Sequence, residues 1–312
     1  MPAPRSPLLI INPAAGMGRA SELAPRLEEV LGHDAAEARL VETRAPGHAA
    51  ELAAAATDQG HDRVIAVGGD GTAQEVLNGL MAAGVGPDGG PPAFGLVPGG
   101  TGNDLARSLG LPLTLMEALT VALGEHTRPL DLGKASHEGE TRYFHAAGGT
   151  GFDAEVAFTM GGNRAPWQRG RAGYVLSALN VLRRYKNRTL SMRLTTDAGV
   201  RQVDGKYLFV VFANAPYYGG GMLICPDASV SDGLLDLCLA GDIGRLGALR
   251  ELPGIYRGAH VDHRLVEMTR ARELRIDGEA ETRVHLDGEP FGMLPVDIGV
   301  AAAAVAVAAP IG

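Results

Sequence analysis

The chain carries little cysteine and no long apolar run, and each shortage removes a class of protein. Among 312 residues only Cys225 and Cys238 bear thiols, so neither a disulfide framework nor a Cys-X-X-Cys zinc site can be built. Two free thiols suit a reducing cytoplasm. No stretch approaches the roughly 18 to 20 apolar residues that a membrane span needs. The nearest candidate, AAAAVAVAA at 301–309, reads as a buried strand or helix. The opening MPAPRSPLLIINP has too short an apolar run for a signal peptide. A net charge of −8 argues against a general nucleic-acid binder, whose phosphate contacts need a basic surface. Two common phosphate-binding signatures are missing too. There is no G-x-x-x-x-G-K-[ST] loop, and Ser21 stands where a dinucleotide fingerprint beginning at Gly16 would need its third glycine. The nine histidines form no metal-ligand spacing.

What is present is ordinary globular composition, 46% hydrophobic and 21% charged, at a length that suits two domains. The N-terminal part alternates short apolar runs with helical patterns. Strands are expected at Leu8–Asn12, Ala38–Thr43, Val64–Val67 and Phe94–Val97, and helices over about 19–31, 47–59 and 72–80. That rhythm predicts a Rossmann-like α/β domain over 1–126, with a parallel sheet whose ligand crevice lies beyond the carboxyl ends of its strands. From 127 to 312 strand-like runs follow one another, interrupted by helical patterns near 170–186 and 244–257. Consecutive strands predict an antiparallel β-sandwich, whose last strand can return toward the first domain.

Each predicted parallel strand ends in a turn suited to phosphate. Asn12-Pro13-Ala14-Ala15-Gly16-Met17-Gly18 follows the first; its glycines let backbone N–H groups turn toward an anion. Gly68-Gly69-Asp70-Gly71-Thr72 follows the third. The glycines let the chain pass close to a phosphate, Asp70 offers a hard oxygen to Mg²⁺, and Thr72 offers a hydroxyl. Pro98-Gly99-Gly100-Thr101-Gly102-Asn103-Asp104 repeats the design one strand later, with Asp104 also placed to cap the following helix.

With these residues in order, the chain resembles the diacylglycerol kinase catalytic-domain family, which includes sphingosine, ceramide and bacterial lipid kinases. The matching segments are INPAAGMG, VGGDGTAQEVLNGL, LVPGGTGNDLARSLGLP, CPDASVSDGLLDL and HLDGEP, spread over nearly the whole chain. GGDGT is shared with NAD kinases and phosphofructokinases; GTGNDLAR and LDGE belong to the lipid branch. Gln74 departs from the family, where many bacterial members have Asn. The resemblance implies an ATP-dependent, Mg²⁺-dependent transfer to a hydroxyl of a diacylglycerol-like or sphingoid-like lipid. It implies a nucleotide lying between the domains among Asn12, Gly16, Thr43, Gly68 to Thr72, Glu75, Gly100, Thr101 and Asn103. Asp70 and Asp104 would organise Mg-ATP and the acceptor. A structural Mg²⁺ would be bound by the Asp232 side chain and the carbonyls of Ser229 and Leu234, although SDGLLD alone reads as a hairpin turn. The family's catalytic base falls in Leu286-Asp287-Gly288-Glu289, with Glu289 favoured and Asp287 a close rival; by itself this segment reads as a β-turn. An NAD kinase, or a non-catalytic lipid or nucleotide sensor, are the alternatives.

Between Gly161 and Arg188 lie seven basic residues and no acidic one: Arg164, Arg169, Arg171, Arg183, Arg184, Lys186 and Arg188. Trp167, Tyr174, Leu176 and Leu179 are interleaved with them. Such a stretch in an acidic protein suits an anionic bilayer, and equally a packed helix with a solvated basic face. The expectation is a cytoplasmic protein that visits the inner face of the membrane, binds no nucleic acid, and can form a homodimer.

Overall fold

The computed structural model describes residues 6–34, 38–84, 92–160 and 170–311. The chain divides into two compact units, Met1–Leu130 with Ala303–Gly312, and Asp131–Ala302.

In the first unit β1 (Pro7–Ile11), β2 (Arg39–Glu42), β3 (Arg63–Gly68) and β4 (Ala93–Pro98) pair in parallel in the order β2-β1-β3-β4. Between and after them run α1 (Leu23–Asp34), α2 (His48–Asp58), α3 (Asp70–Ala83), α4 (Asp104–Leu109) and α5 (Leu115–Leu123). Every residue of β1 and β3 is buried. Leu9, Ile11, Ile65, Val67 and Val97 pack with Leu27 of α1 and Leu119 of α5. The alternate positions Leu8, Ile10, Val64 and Ala66, pointing to the other face, are buried just as fully. Strands covered on both faces have no polar side to present, which is why they read as unbroken apolar runs.

β5 (Thr127–His137) leads into the second unit, which begins with β6 (Glu140–Phe144), β7 (Ala147–Gly151), α6 (Phe152–Met160) and α7 (Gly170–Leu182). Then come β8 (Arg188–Thr196), β9 (Gly199–Tyr207), β10 (Phe209–Ala213), β11 (Tyr217–Tyr218), β12 (Met222–Leu223) and β13 (Leu235–Ala240). The unit continues through α8 (Arg245–Ile255), β14 (Val266–Ala271), β15 (Glu273–Gly278), β16 (Arg283–Leu286), β17 (Glu289–Met293) and the start of β18 (Val296–Ala308). One antiparallel sheet has the order β14-β13-β10-β7-β16-β17. Facing it, β18, β15, β8 and β9 pair antiparallel in that order. The end of β18 pairs in parallel with β4.

The sandwich core joins Met192, Leu194, Leu274, Ile276, Val296 and Ile298 of one sheet to Val210, Phe212, Leu235, Leu237, Val284 and Leu286 of the other. The outer face of the six-stranded sheet is not solvated. Phe209, Val211, Cys238 and Ala240 meet Phe152 and Val156 of α6, Leu182 of α7 and Ile255 of α8. The antiparallel sandwich expected from sequence is therefore present with a helical layer added. The apolar run Tyr143–Ala147 is divided between two strands, β6 ending at Phe144 and β7 starting at Ala147.

Both thiols lie in this outer core with no exposed surface. Burial pushes Cys225 well above its ordinary range and Cys238 up to about 12. A thiolate is the reactive form, so neither thiol is expected to react with a disulfide reagent at pH 8 in the native protein, and both should react in denaturant. Stoichiometric labelling of the native protein within minutes would contradict this packing.

Candidate active site

The phosphate-type turns of the first unit sit at the carboxyl ends of adjacent strands and touch through their backbones. A Cβ on Gly100 would fall 2.5 Å from the Cα of Gly69, and one on Gly69 would fall 3.0 Å from the Cα of Gly100. Glycine at 100 is required for this approach, and a side chain at 69 would press hard on the facing backbone. The Gly99 N–H donates to the Gly68 carbonyl at 2.7 Å, extending the β3–β4 ladder into the turns.

Side chains lock the two turns to one another and to β1. Asp70 begins α3, yet its Oδ1 accepts the N–H of Leu105 at 3.1 Å, capping α4 from the neighbouring turn. The cap that Asp104 could have supplied at the start of this helix is supplied by Asp70, because the turns are stacked. Asp104 itself is 4% exposed. Asn103 adopts a left-handed conformation, and its side chain grips Gly100 from both sides, Oδ1 accepting the N–H at 3.0 Å and Nδ2 donating to the carbonyl at 3.2 Å. Asn12 Nδ2 donates to Thr72 Oγ1 at 3.1 Å, and Thr72 is buried on α3. Asn12 also accepts the Ala14 N–H, opening a segment in which Gly16, Met17 and Gly18 are all left-handed. Thr43 donates its N–H to Ile11 at the end of β1, and Glu75 accepts the Ala49 N–H near the start of α2. Thr101 is exposed. Asn12, Thr72, Asn103 and Asp70 thus hold the turns in shape; the Gly99 and Gly100 N–H groups are taken up within them, and the Thr101 hydroxyl is exposed as a donor suited to a phosphate oxygen.

In the second unit, Asp287 and Gly288 both have positive φ, 49° and 82°, and join β16 to β17 as a two-residue turn of the mirror-image type that Asp-Gly favours. The Asp287 side chain is 2% exposed. Its Oδ1 accepts the N–H groups of Ala146 and Ala147 at 2.9 and 3.1 Å, and Oδ2 accepts that of His145 at 3.0 Å. Three backbone donors occupy this carboxylate and fasten the turn to the start of β7. Glu289, first residue of β17, is exposed. The two rivals left open by sequence therefore differ sharply in surroundings. Sequence reasoning gave no role to His145, Asp153 or Asp131, since each meets its partner across more than 100 residues of chain.

The Ser229–Leu234 loop is pinned by buried Asp131. The Gly233 N–H donates to Asp131 Oδ2 at 2.7 Å, and the Asp131 N–H donates to Val230 at 2.7 Å. Asp232 Oδ1 accepts the Leu234 N–H at 3.1 Å. Among the described residues no group of three or more acidic, histidine or cysteine side chains gathers anywhere, so a cation here would rely on backbone carbonyls. Beside the loop, burial raises the Asp236 carboxyl, and Arg270 at 3.0 Å, already paired with it, opposes that shift. An all-oxygen set of one carboxylate and carbonyls fits a hard divalent ion.

Of the basic stretch, Arg164, Trp167 and Arg169 lie outside the described residues. Arg183, Arg184 and Lys186 are exposed, while Ala178, Leu182 and Tyr185 pack into the helical layer's core. Leu176 of α7 is 54% exposed.

Stacked glycine turns at the carboxyl ends of parallel strands form a site suited to an anionic, phosphate-bearing ligand. The sequence model of the diacylglycerol kinase catalytic domain matches residues 6–135, and that of the YegS C-terminal NAD kinase beta sandwich-like domain matches 146–309. Diacylglycerol kinase of Mycobacterium tuberculosis is 34% identical over 314 residues, covering 96% of this chain and 94% of that protein. The crystal structure of a diacylglycerol kinase from Bacillus anthracis shares the fold, with a TM-score of 0.73 at 22% identity over 98% of this chain and 97% of the other. Yeast NADH kinase complexed with NADH shares it more distantly, with a TM-score of 0.53 at 11% identity over 99% and 85% of the two chains. The chain belongs to the diacylglycerol kinase family and is a lipid kinase.

Proposed function

We propose that the protein transfers the γ-phosphoryl group of ATP to a hydroxyl of a diacylglycerol-like or sphingoid-like lipid, with Mg²⁺. The observation that carries the nucleotide part is the Gly69–Gly100 contact, which presents two amide-rich turns side by side at the strand ends. In phosphoryl transfer the protein contributes mainly positioning and electrostatics. Gly16, Gly68, Gly69, Gly71 and Thr101 bind the triphosphate, Gly100 lets the two turns close on one another, Asn12, Thr43, Glu75 and Asn103 shape the surroundings, and Asp70 and Asp104 supply negative charge that holds Mg-ATP.

As the acceptor oxygen bonds to the γ-phosphorus and the bond to the β–γ bridging oxygen breaks, Glu289 accepts the hydroxyl proton and ADP leaves. Its exposure supports this role, and the three hydrogen bonds that occupy Asp287 argue for a structural one there. A Mg²⁺ ion held by Ser229, Asp232 and Leu234 would stiffen the loop ahead of β13. Among the described residues no helix is long and apolar enough to cross a membrane. The lipid is then met at a bilayer surface, and exposed Arg183, Arg184 and Lys186 suit an anionic one.

Incubation with γ-labelled ATP, Mg²⁺ and vesicles of a total lipid extract tests the proposal. Label is expected in a phospholipid, and its identification gives the acceptor. Conversion of NAD to NADP in place of lipid labelling would overturn it.

A further inference from the structure

The turn that presents Glu289 rests on a buried polar pair, His285 at the head of the HLDGEP segment and Asp153, which belongs to none of the recognised motifs. His285 of β16 is 1% exposed and Asp153 of α6 is 5% exposed. The Gly288 N–H donates to His285 Nδ1 at 3.2 Å, so that nitrogen is the acceptor and the ring proton sits on Nε2. Nε2 lies 2.9 Å from Asp153 Oδ2, to which it donates. Asp153 Oδ1 accepts the Ala154 N–H at 2.9 Å. The Tyr218 ring stacks on the imidazole at 6.2 Å and 14°. Gly149 of β7 makes the room: a Cβ there would collide with Asp153 Oδ2 and lie 3.1 Å from His285 Nε2. Two residues back along β16, Arg283 pairs with Glu155 at 3.0 Å, so α6 is fastened to β16 twice.

A buried polar pair of this kind is a poor way to gain stability, since a well-packed apolar pair of equal volume does as well or better. What an apolar pair lacks is an acceptor aimed at the Gly288 amide. We propose that His285 is a positioning residue for phosphoryl transfer. Asp153 fixes its tautomer, and Nδ1 then sets the left-handed Asp287–Gly288 turn that orients the Glu289 carboxylate. This inference rests on the reading of Glu289 as the base.

Amide isosteres separate the two nitrogens, because the side-chain oxygen of Asn falls near the Nδ1 position and that of Gln near Nε2. In the full-length protein, His285→Gln is expected to lower kcat about tenfold to a hundredfold with KM for ATP unchanged, the scale of a misplaced catalytic group. His285→Asn, which restores an acceptor to Gly288, is expected to stay within about threefold of wild type. Equal turnover in the Asn and Gln variants, whether lowered or not, would overturn the proposal. A second measurement needs no variant. Long-range proton–nitrogen correlation on histidine-labelled wild-type protein should find His285 protonated on Nε2, and protonation on Nδ1 alone would overturn the inference. Glu289→Gln, assayed alongside, reports separately on the base. Wild-type turnover there defeats that reading whatever the His285 variants do, whereas a loss there with equal Asn and Gln variants defeats only the present inference.

Discussion

Glu289→Gln is expected to lower kcat by about 100-fold to 10,000-fold, the range general-base catalysis supplies, while leaving Tm and the KM for ATP unchanged. The glutamine keeps shape and polarity and loses only the ability to take a proton, and the side chain is exposed at the start of β17, so folding has little stake in it. Asp287→Ala should behave in the opposite way. It strips the charged acceptor from the N–H groups of His145, Ala146 and Ala147 in a site where the Asp287 side chain is 2% exposed. Leaving such donors unpaired costs about 3 kcal/mol or more, which lowers Tm by about 6 °C or more. Steady-state kinetics and thermal denaturation on the same preparations separate the two roles. A Glu289→Gln enzyme with wild-type kcat, or an Asp287→Ala protein with unchanged Tm, would reverse the assignment.

The second large effect is expected at Asp70, where a helix cap and the proposed hold on Mg-ATP share one carboxylate. Asp70→Ala should abolish lipid-dependent ATP turnover. It should also lower stability by about 1 kcal/mol, because the Leu105 N–H at the start of α4 loses its capping oxygen. Asp70→Asn divides these effects. Its amide oxygen can still accept from Leu105, so Tm should match wild type, but the negative charge that holds Mg-ATP is gone and turnover should remain near zero. An Asn variant with wild-type activity would reduce Asp70 to a helix cap.

Much of the site was legible because its chemistry is local. A glycine turn at a strand end is written in consecutive residues, and so is the Asp287-Gly288 turn. The parallel strands were legible as unbroken apolar runs. Other elements were not. β9 is exposed at most of its positions, and β14 and β17 are edge strands with few buried residues, so none shows the alternation that marks a half-buried strand. The assignment of cap and acid among Asp70, Asp104, Asp287 and Glu289 depends on partners remote in sequence. Asp70 meets Leu105 across 35 residues, Asp287 meets Ala146 across 141, and His285 meets Asp153 across 132. Composition around each carboxylate carries no trace of those partners, so the hydrogen bonds that distinguish the acidic residues could not be read from sequence.

The claim that this chain phosphorylates a lipid alcohol is tested most directly by stoichiometry. ADP release and label transfer from γ-labelled ATP should be followed together, with and without diacylglycerol in anionic vesicles. ADP is expected only when the lipid is present, with one labelled lipid phosphate formed for each ADP. ADP released at the same rate without lipid, or with the label recovered as inorganic phosphate, would contradict it.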